Sequence, residues 1–181
     1  PFAGQLSMWC QLVHKSEKNM QFVFFNDGDN KPDNNKLIGS TGGIYYTPAI
    51  GLDSLSRFMA KVASKGSGGD CAENNMEALI KGVKMARPFK DIVMIADNHA
   101  PVKDIRLLQE FKLPVHIILC GAIGNPIQTD YLDIARKTGG SIHTIEEDIV
   151  NLATLSEGED IKINGMTYKV MGGKFILLKK T

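Results

Sequence analysis

Lys65 to Leu79 reads KGSGGDCAENNMEAL, and the rest of the chain can be organised around it. Gly66, Gly68, Gly69, Asp70, Glu73, Asn74 and Asn75 crowd into one short segment, which passes directly into Met76, Leu79, Ile80 and Val83 at helical spacing. This is a loop that presents oxygen atoms at the start of a helix, and the helix is expected to stop before Pro88. Next comes the apolar run Ile92-Val93-Met94-Ile95-Ala96, closed by Asp97. Such a run between helical segments predicts a strand buried on both faces of a parallel sheet, whose carboxyl end is where these sheets bind ligands. Asp97 is therefore expected at the functional rim.

Upstream, Leu6, Trp9, Cys10 and Val13 recur at the spacing of an amphipathic helix within Pro1 to Ser16. Gln21 to Phe25 is aromatic and β-branched, hence a strand. It runs into Asn26-Asp27-Gly28-Asp29-Asn30 and Lys31-Pro32-Asp33-Asn34-Asn35, a density of Asp, Asn, Gly and Pro that marks a loop. Gly43 to Thr47 reads as a strand paired hairpin-fashion with Phe22–Phe25 at a sheet edge. Leu52, Leu55, Phe58, Met59 and Val62 trace a helix with Asp53 in its first turn.

Downstream, Val102 to Lys112 is expected to be a helix, Val115 to Cys120 a buried strand, and Asp130 to Lys137 a helix ended by Gly139-Gly140. Ile142 to Ile145 reads as a strand and Asp148 to Leu155 as a short helix. Strands alternating with helices predict a doubly wound, Rossmann-like, mostly parallel α/β sheet over residues 1–157. From residue 158 the style changes. Asn164-Gly165 and Gly172-Gly173 separate short strand patterns, predicting a small antiparallel β meander appended to that body, with Lys162, Lys169 and Lys174 on its exposed face.

The chain has 181 residues, 43% hydrophobic and 23% charged, with a net charge of +1. That balance supplies no field to gather nucleic acid or anionic lipid. No apolar run approaches the roughly 20 residues that span a bilayer. Cys10, Cys71 and Cys120 have no zinc-type spacing. Cys10 and Cys120 fall on apolar faces, where a cysteine serves as a small hydrophobe.

Carboxylates and carboxamides without histidine or thiolate suit a hard cation such as Mg²⁺, Ca²⁺ or Mn²⁺. Asp27, Asp70, Glu73 and Asp97 each follow a strand or enter a helix, so all four are expected at one rim, where they repel one another unless a cation neutralises them. The plainer reading is that Asp70 or Glu73 caps the following helix. Spacing alone leaves both open. Asn74, Asn98 and His99 would border the same rim.

Gly68-Gly69-Asp70-Cys71-Ala72-Glu73, followed by a helix and a strand ending in Asp97, resembles the von Willebrand factor A domain. It is most similar to the variant of integrin β-subunit I-like and hemicentin-type domains, over about residues 1 to 155. The Phe25-Asn26-Asp27 strand end also matches that variant. The resemblance implies a non-enzymatic, adhesion-type module in which an open-coordinated Mg²⁺ accepts a carboxylate from a partner protein. It further implies Glu73 and Asp97 as adhesion-site ligands, Asp27 and Asp70 with Glu73 at a neighbouring cation site, and an extracellular or cell-envelope setting, with a cytoplasmic one as the alternative. Ala72 stands where the family has proline. The family's first strand and its D-x-S-x-S loop are expected to lie upstream of Pro1.

Two other readings differ in class. One is a metal-free scaffold that keeps the fold. The other is an α/β hydrolase using Asp97 or Glu73 as general base, for which the sequence offers no G-x-S-x-G elbow and no Ser–His pairing by spacing. His14, His116 and His143 read as structural, and only His99, next to Asp97, as a candidate for testing.

Overall fold

The computed structural model describes residues 20–48, 51–69 and 71–180, backbone only for 179 and 180. The helix expected over Pro1 to Ser16, with Trp9, Cys10 and His14, lies outside the described residues, as does Asp70. The chain forms two compact units, Pro1–Pro88 and Phe89–Thr181.

In the first unit β1 (Phe22–Phe25) pairs antiparallel with β2 (Ile44–Thr47), Phe22 opposite Thr47 and Phe25 opposite Ile44. This is the hairpin-like pairing the aromatic runs predict. Helix α1 (Leu52–Ala63) buries Leu55 and Val62 and carries Asp53 in its first turn and Lys61 in its last, as the helix dipole favours. Phe58 of α1 meets Phe24, ring centroids 5.8 Å apart. Helix α2 (Asn75–Met85) buries Met76, Ala78 and Gly82. A Cβ on Gly82 would stand 3.1 Å from Val23 Cγ2, so the missing side chain lets α2 lie close on β1.

The second unit holds a four-stranded sheet in the order β3-β4-β5-β6: β3 (Val93–Asp97), β4 (His116–Cys120), β5 (Ser141–His143) and β6 (Asp148–Ile149). β3, β4 and β5 are parallel, and β6 returns antiparallel. Helix α3 (Thr129–Thr138) packs against β4 and β5 and buries Tyr131, Leu132, Ile134 and Ala135. It ends on left-handed Gly139, as expected. Gly140 follows so close to β4 that a Cβ would fall 1.8 Å from Val115 O.

Three expectations are corrected here. β3 is not buried on both faces: Met94 is covered, but Val93 is 47% exposed and Ile95 only half-buried. Val102 to Lys112 is not an α-helix but a short 3-10 helix, Ile105–Glu110. Pro101 and Pro114 confine the segment. Asp148 to Leu155 is not a helix either. Its first two residues form β6, because Ile149 is buried opposite Ile142, and only Leu152–Thr154 makes a 3-10 turn.

The closing meander is as predicted: β7 (Asp160–Ile163), β8 (Met166–Met171) and β9 (Lys174–Lys180) form an antiparallel three-stranded sheet. Asn164 and Gly165 both take positive φ, 49° and 71°, which a type I′ hairpin turn requires. Lys162 and Lys174 are exposed and Lys169 is half-buried, 3.3 Å from Asp160. The other face contacts α3 and the turn before it: Asp133 Oδ1 of α3 accepts the Phe175 N–H at 2.9 Å, and Tyr168 Oη accepts the Ile127 N–H at 2.7 Å.

Candidate functional site

The oxygen-rich loops of the first unit fold onto one another. After β1 the chain turns left-handed at Asp27, Gly28 and Asp29, φ 54°, 93° and 59°. Asn26 holds this turn, its Oδ1 accepting the Asp29 N–H and its Nδ2 donating to Asp29 Oδ1, both at 2.9 Å. Tyr45 of β2 donates to the same carboxylate at 2.7 and 2.8 Å, and this hydrogen bond pushes the Tyr45 phenol up to about 12. The glycine-rich loop then closes down, with Gly68 N–H donating to Asp29 O at 3.1 Å. At Gly68, φ 84°, a Cβ would lie 2.9 Å from Asp27 Cβ, so only glycine gives this approach.

The Asp27 side chain is driven inside by this closure and is 1% exposed. Its partner is Lys36, which follows the 3-10 turn Asp33–Asn35. Lys36 Nζ stands 2.7 Å from Asp27 Oδ2, 2.6 Å from Asp33 Oδ1 and 2.7 Å from Gly68 O. Burial alone would lower the Lys36 pKa, but hydrogen bonds to Asp27 and Asp33 outweigh it and hold the ammonium above the ordinary lysine value. Asn74 Nδ2 donates to Asp27 Oδ1. Asn74 is 4% exposed, and its Oδ1 has no hydrogen-bond partner among the described residues.

A second buried carboxylate, Glu77 in the first turn of α2, accepts the Thr41 N–H at 2.8 Å, the Gly42 N–H at 3.1 Å and Lys81 Nζ at 2.6 Å. Burial opposes its ionisation, but Lys81 and the two N–H groups prevail and hold it below the ordinary glutamate value. Glu77 therefore anchors the 36–43 loop to α2. A shallow polar cavity of about 230 Å³ opens between residues 30–33 and 67–69, beside the Lys36 cluster.

Of the residues named from sequence, Asp27 and Asn74 are brought together, and Glu73 is half-buried nearby in the chain. Asp97 belongs to the second unit. It is exposed at the end of β3, its Oδ1 accepting the His99 N–H at 2.9 Å. Its charge and, first, burial push the Cys120 thiol up. His99 is exposed. Asn98 is buried, donating from Nδ2 to Pro126 O and accepting the Gln128 N–H, which fixes the chain entering α3.

A divalent cation needs oxygens at about 2.0–2.6 Å. At Asp27 Oδ2 that position is taken by the Lys36 ammonium. A doubly charged ion about 3.5 Å from it would meet a repulsion on the order of 10 kcal/mol at an effective dielectric constant of about 20. With Lys36 in place, the described residues around Asp27 do not fit the ion. Among the described residues, no group of three or more His, Cys, Asp or Glu side chains could hold a metal.

The second unit contains a polar chain that the sequence reading missed. Ser141 Oγ lies 2.7 Å from His143 Nε2, His143 Nδ1 lies 2.7 Å from Asp148 Oδ1, and His116 Nδ1 reaches Ser141 Oγ at 2.7 Å. No Ser–His pairing was visible by spacing; parallel register, placing His116 opposite Ser141, creates it. The i, i+2 alternation of Ser141 and His143 on one strand face was the available signal. No helix of the described residues is long and apolar enough to cross a membrane. Compared with protein-family models, curated proteins and solved structures, the chain matches none of them.

Proposed function

We propose that the chain is a non-enzymatic protein-interaction module of the von Willebrand factor A kind, a doubly wound domain whose loop rim in the first unit receives a partner. Of the cation-dependent reading that the resemblance implies and the alternative of a metal-free scaffold that keeps the fold, the geometry at Asp27 favours the metal-free one. The observation that supports this is the buried Asp27 carboxylate, compensated by Lys36 at 2.7 Å where the resemblance implies the neighbouring cation. The rim is thereby held by the chain's own charges, and the polar cavity beside it is the place to seat a partner side chain. The test is peptide-display panning against the purified chain in EDTA, with selected peptides mapped by backbone amide shifts. The reading expects shifts in residues 30–35 and 67–69 and affinity unchanged by added Mg²⁺. Peptides that bind only with Mg²⁺ and are lost in Glu73→Ala and Asp97→Ala would instead establish the cation-dependent form.

One observation favours an enzyme reading: the Ser141, His143 and Asp148 order is that of a nucleophile, base and orienting carboxylate. Its weight is limited by access. Ser141 is 4% exposed and its backbone N–H is already given to Val115 O at 3.3 Å, leaving it unavailable for a developing oxyanion. Hydrolysis of an activated ester that disappears in Ser141→Ala would overturn the non-enzymatic reading.

A further inference from the structure

We propose that the outer edge of β9 is a docking strand for an extended, acidic segment of a partner protein, which adds to the closing meander as a fourth strand. Among the described residues β9 has a neighbouring strand on one side only, the sheet order being β7-β8-β9. Which of its backbone groups face outward follows from β8. Val170 donates its N–H to Glu159 O at 3.0 Å and accepts the Gly158 N–H at 2.8 Å, so its backbone turns away from β9. Opposite residues of an antiparallel ladder turn toward or away from each other together, so Phe175, opposite Val170, turns outward. Its N–H is given to Asp133 Oδ1 of α3, which closes the edge at that point. Leu177, two residues on and opposite Tyr168, turns the same way. The Leu177 N–H and C=O thus lie on the outer side of the sheet, beyond the bond to Asp133.

Side chains and charge decide what fits there. The register shifts between Thr167 and Tyr168, which makes Leu178 an extra residue on β9. Three successive apolar residues are left uncovered around it, Ile176 36%, Leu177 43% and Leu178 46% exposed. An edge strand that keeps such a run is a template for another chain. A second copy of β9 does not suit it. Lys174 begins the strand and Lys179 and Lys180 end it, so antiparallel self-pairing would set lysine against lysine. Residues 158–181 carry five lysines against Glu159 and Asp160, whereas the net charge of the whole chain is only +1. An apolar segment with carboxylates at its ends meets both features, pairing its backbone with Leu177 and its ends with the lysines. A nucleic-acid or lipid phosphate would use the lysines and leave the backbone edge unpaired. This surface lies in the second unit and is independent of the rim proposed for the first.

The experiment is titration of the whole chain with the synthetic peptide DEVTVTVED, followed by backbone amide shifts. The expected result is saturable binding below about 1 mM, shifts centred on Lys174–Lys180, slowed hydrogen exchange at the Leu177 N–H, and affinity that falls as salt rises. The same peptide N-methylated at its valines and threonines, and the lysine-ended KKVTVTVKK, should each bind at least about tenfold more weakly. Leu177→Pro removes an outward N–H that the ladder with β8 does not use, where an edge strand tolerates proline, and should weaken binding by a similar factor. If that variant does not fold, the N-methylated peptide reads the same backbone pairing on the wild type. Equal binding of the N-methylated or the lysine-ended peptide would overturn the proposal. So would an absence of shifts in Lys174–Lys180, or shifts produced there by anionic phospholipid vesicles or duplex DNA but not by the acidic peptide.

Discussion

Replacing Glu77 by Gln isolates what the buried carboxylate contributes. The side chain is 1% exposed, and its hydrogen bonds include those from the backbone of Thr41 and Gly42 and from Lys81. The Lys81 side chain is 40% exposed, so solvent screening leaves that contact about 0–1 kcal/mol. The two N–H bonds to a charged acceptor carry about 1.5–3 kcal/mol each before compensation. A glutamine retains one oxygen but turns an NH₂ group toward the other N–H, so Glu77→Gln is expected to cost about 2–3 kcal/mol and Glu77→Ala about 3–5 kcal/mol. Glu77 has a folded pKa below its unfolded value, so its contribution is present above about pH 4.5, the ordinary value, and is lost as pH falls through the folded pKa. Because the chain has two units, the assay is native-state hydrogen exchange read at the Thr41 and Gly42 amides, with denaturant unfolding beside it. Unchanged exchange at both amides, or a loss below about 0.5 kcal/mol in Glu77→Gln, would refute the reasoning.

Gly68→Ala adds a Cβ 2.9 Å from Asp27 Cβ at a left-handed φ, and is expected to lose at least about 1–2 kcal/mol and expose the Lys36 cluster, read by proteolysis at residues 64–69. In the second unit Asp133 is buried and its carboxyl is raised, first by burial and in part by Asp130. Its stabilising share is fully present below its unfolded pKa and is lost as pH rises through the folded pKa. Asp133→Asn should therefore flatten the stability profile above about pH 4 while keeping the bond to Phe175, as thermal melts across pH would show. Tyr168→Phe orphans the buried Ile127 N–H and is expected to cost about 1–3 kcal/mol in denaturant unfolding.

Where local chemistry decides a structure, the sequence was a sufficient guide. Asn164-Gly165 set the meander turn, Gly139 ended α3, and the aromatic pattern of Phe22–Phe25 found its hairpin partner. Where neighbours decide, it was not. Asp148 and Ile149 have no strand signature of their own; they join the sheet because Ile142 offers a buried partner. Val93 looked like the middle of a doubly covered strand only because an apolar run carries no record of which face is packed.

The same limit shaped the reading of the site. Asp27 and Asn74 were legible as oxygen donors because their residue types permit little else in such a loop. Lys36 was not legible, since a lysine in a polar loop ordinarily extends into solvent. Gly66 and Gly68 alter that expectation: their backbone approach to Asp27 and Asp29 removes water from the loop interior, and a carboxylate left there must find a cation. Lys36 is that cation by proximity, three residues beyond Asp33. An acidic loop is evidence for a bound metal only after its own lysines have been placed.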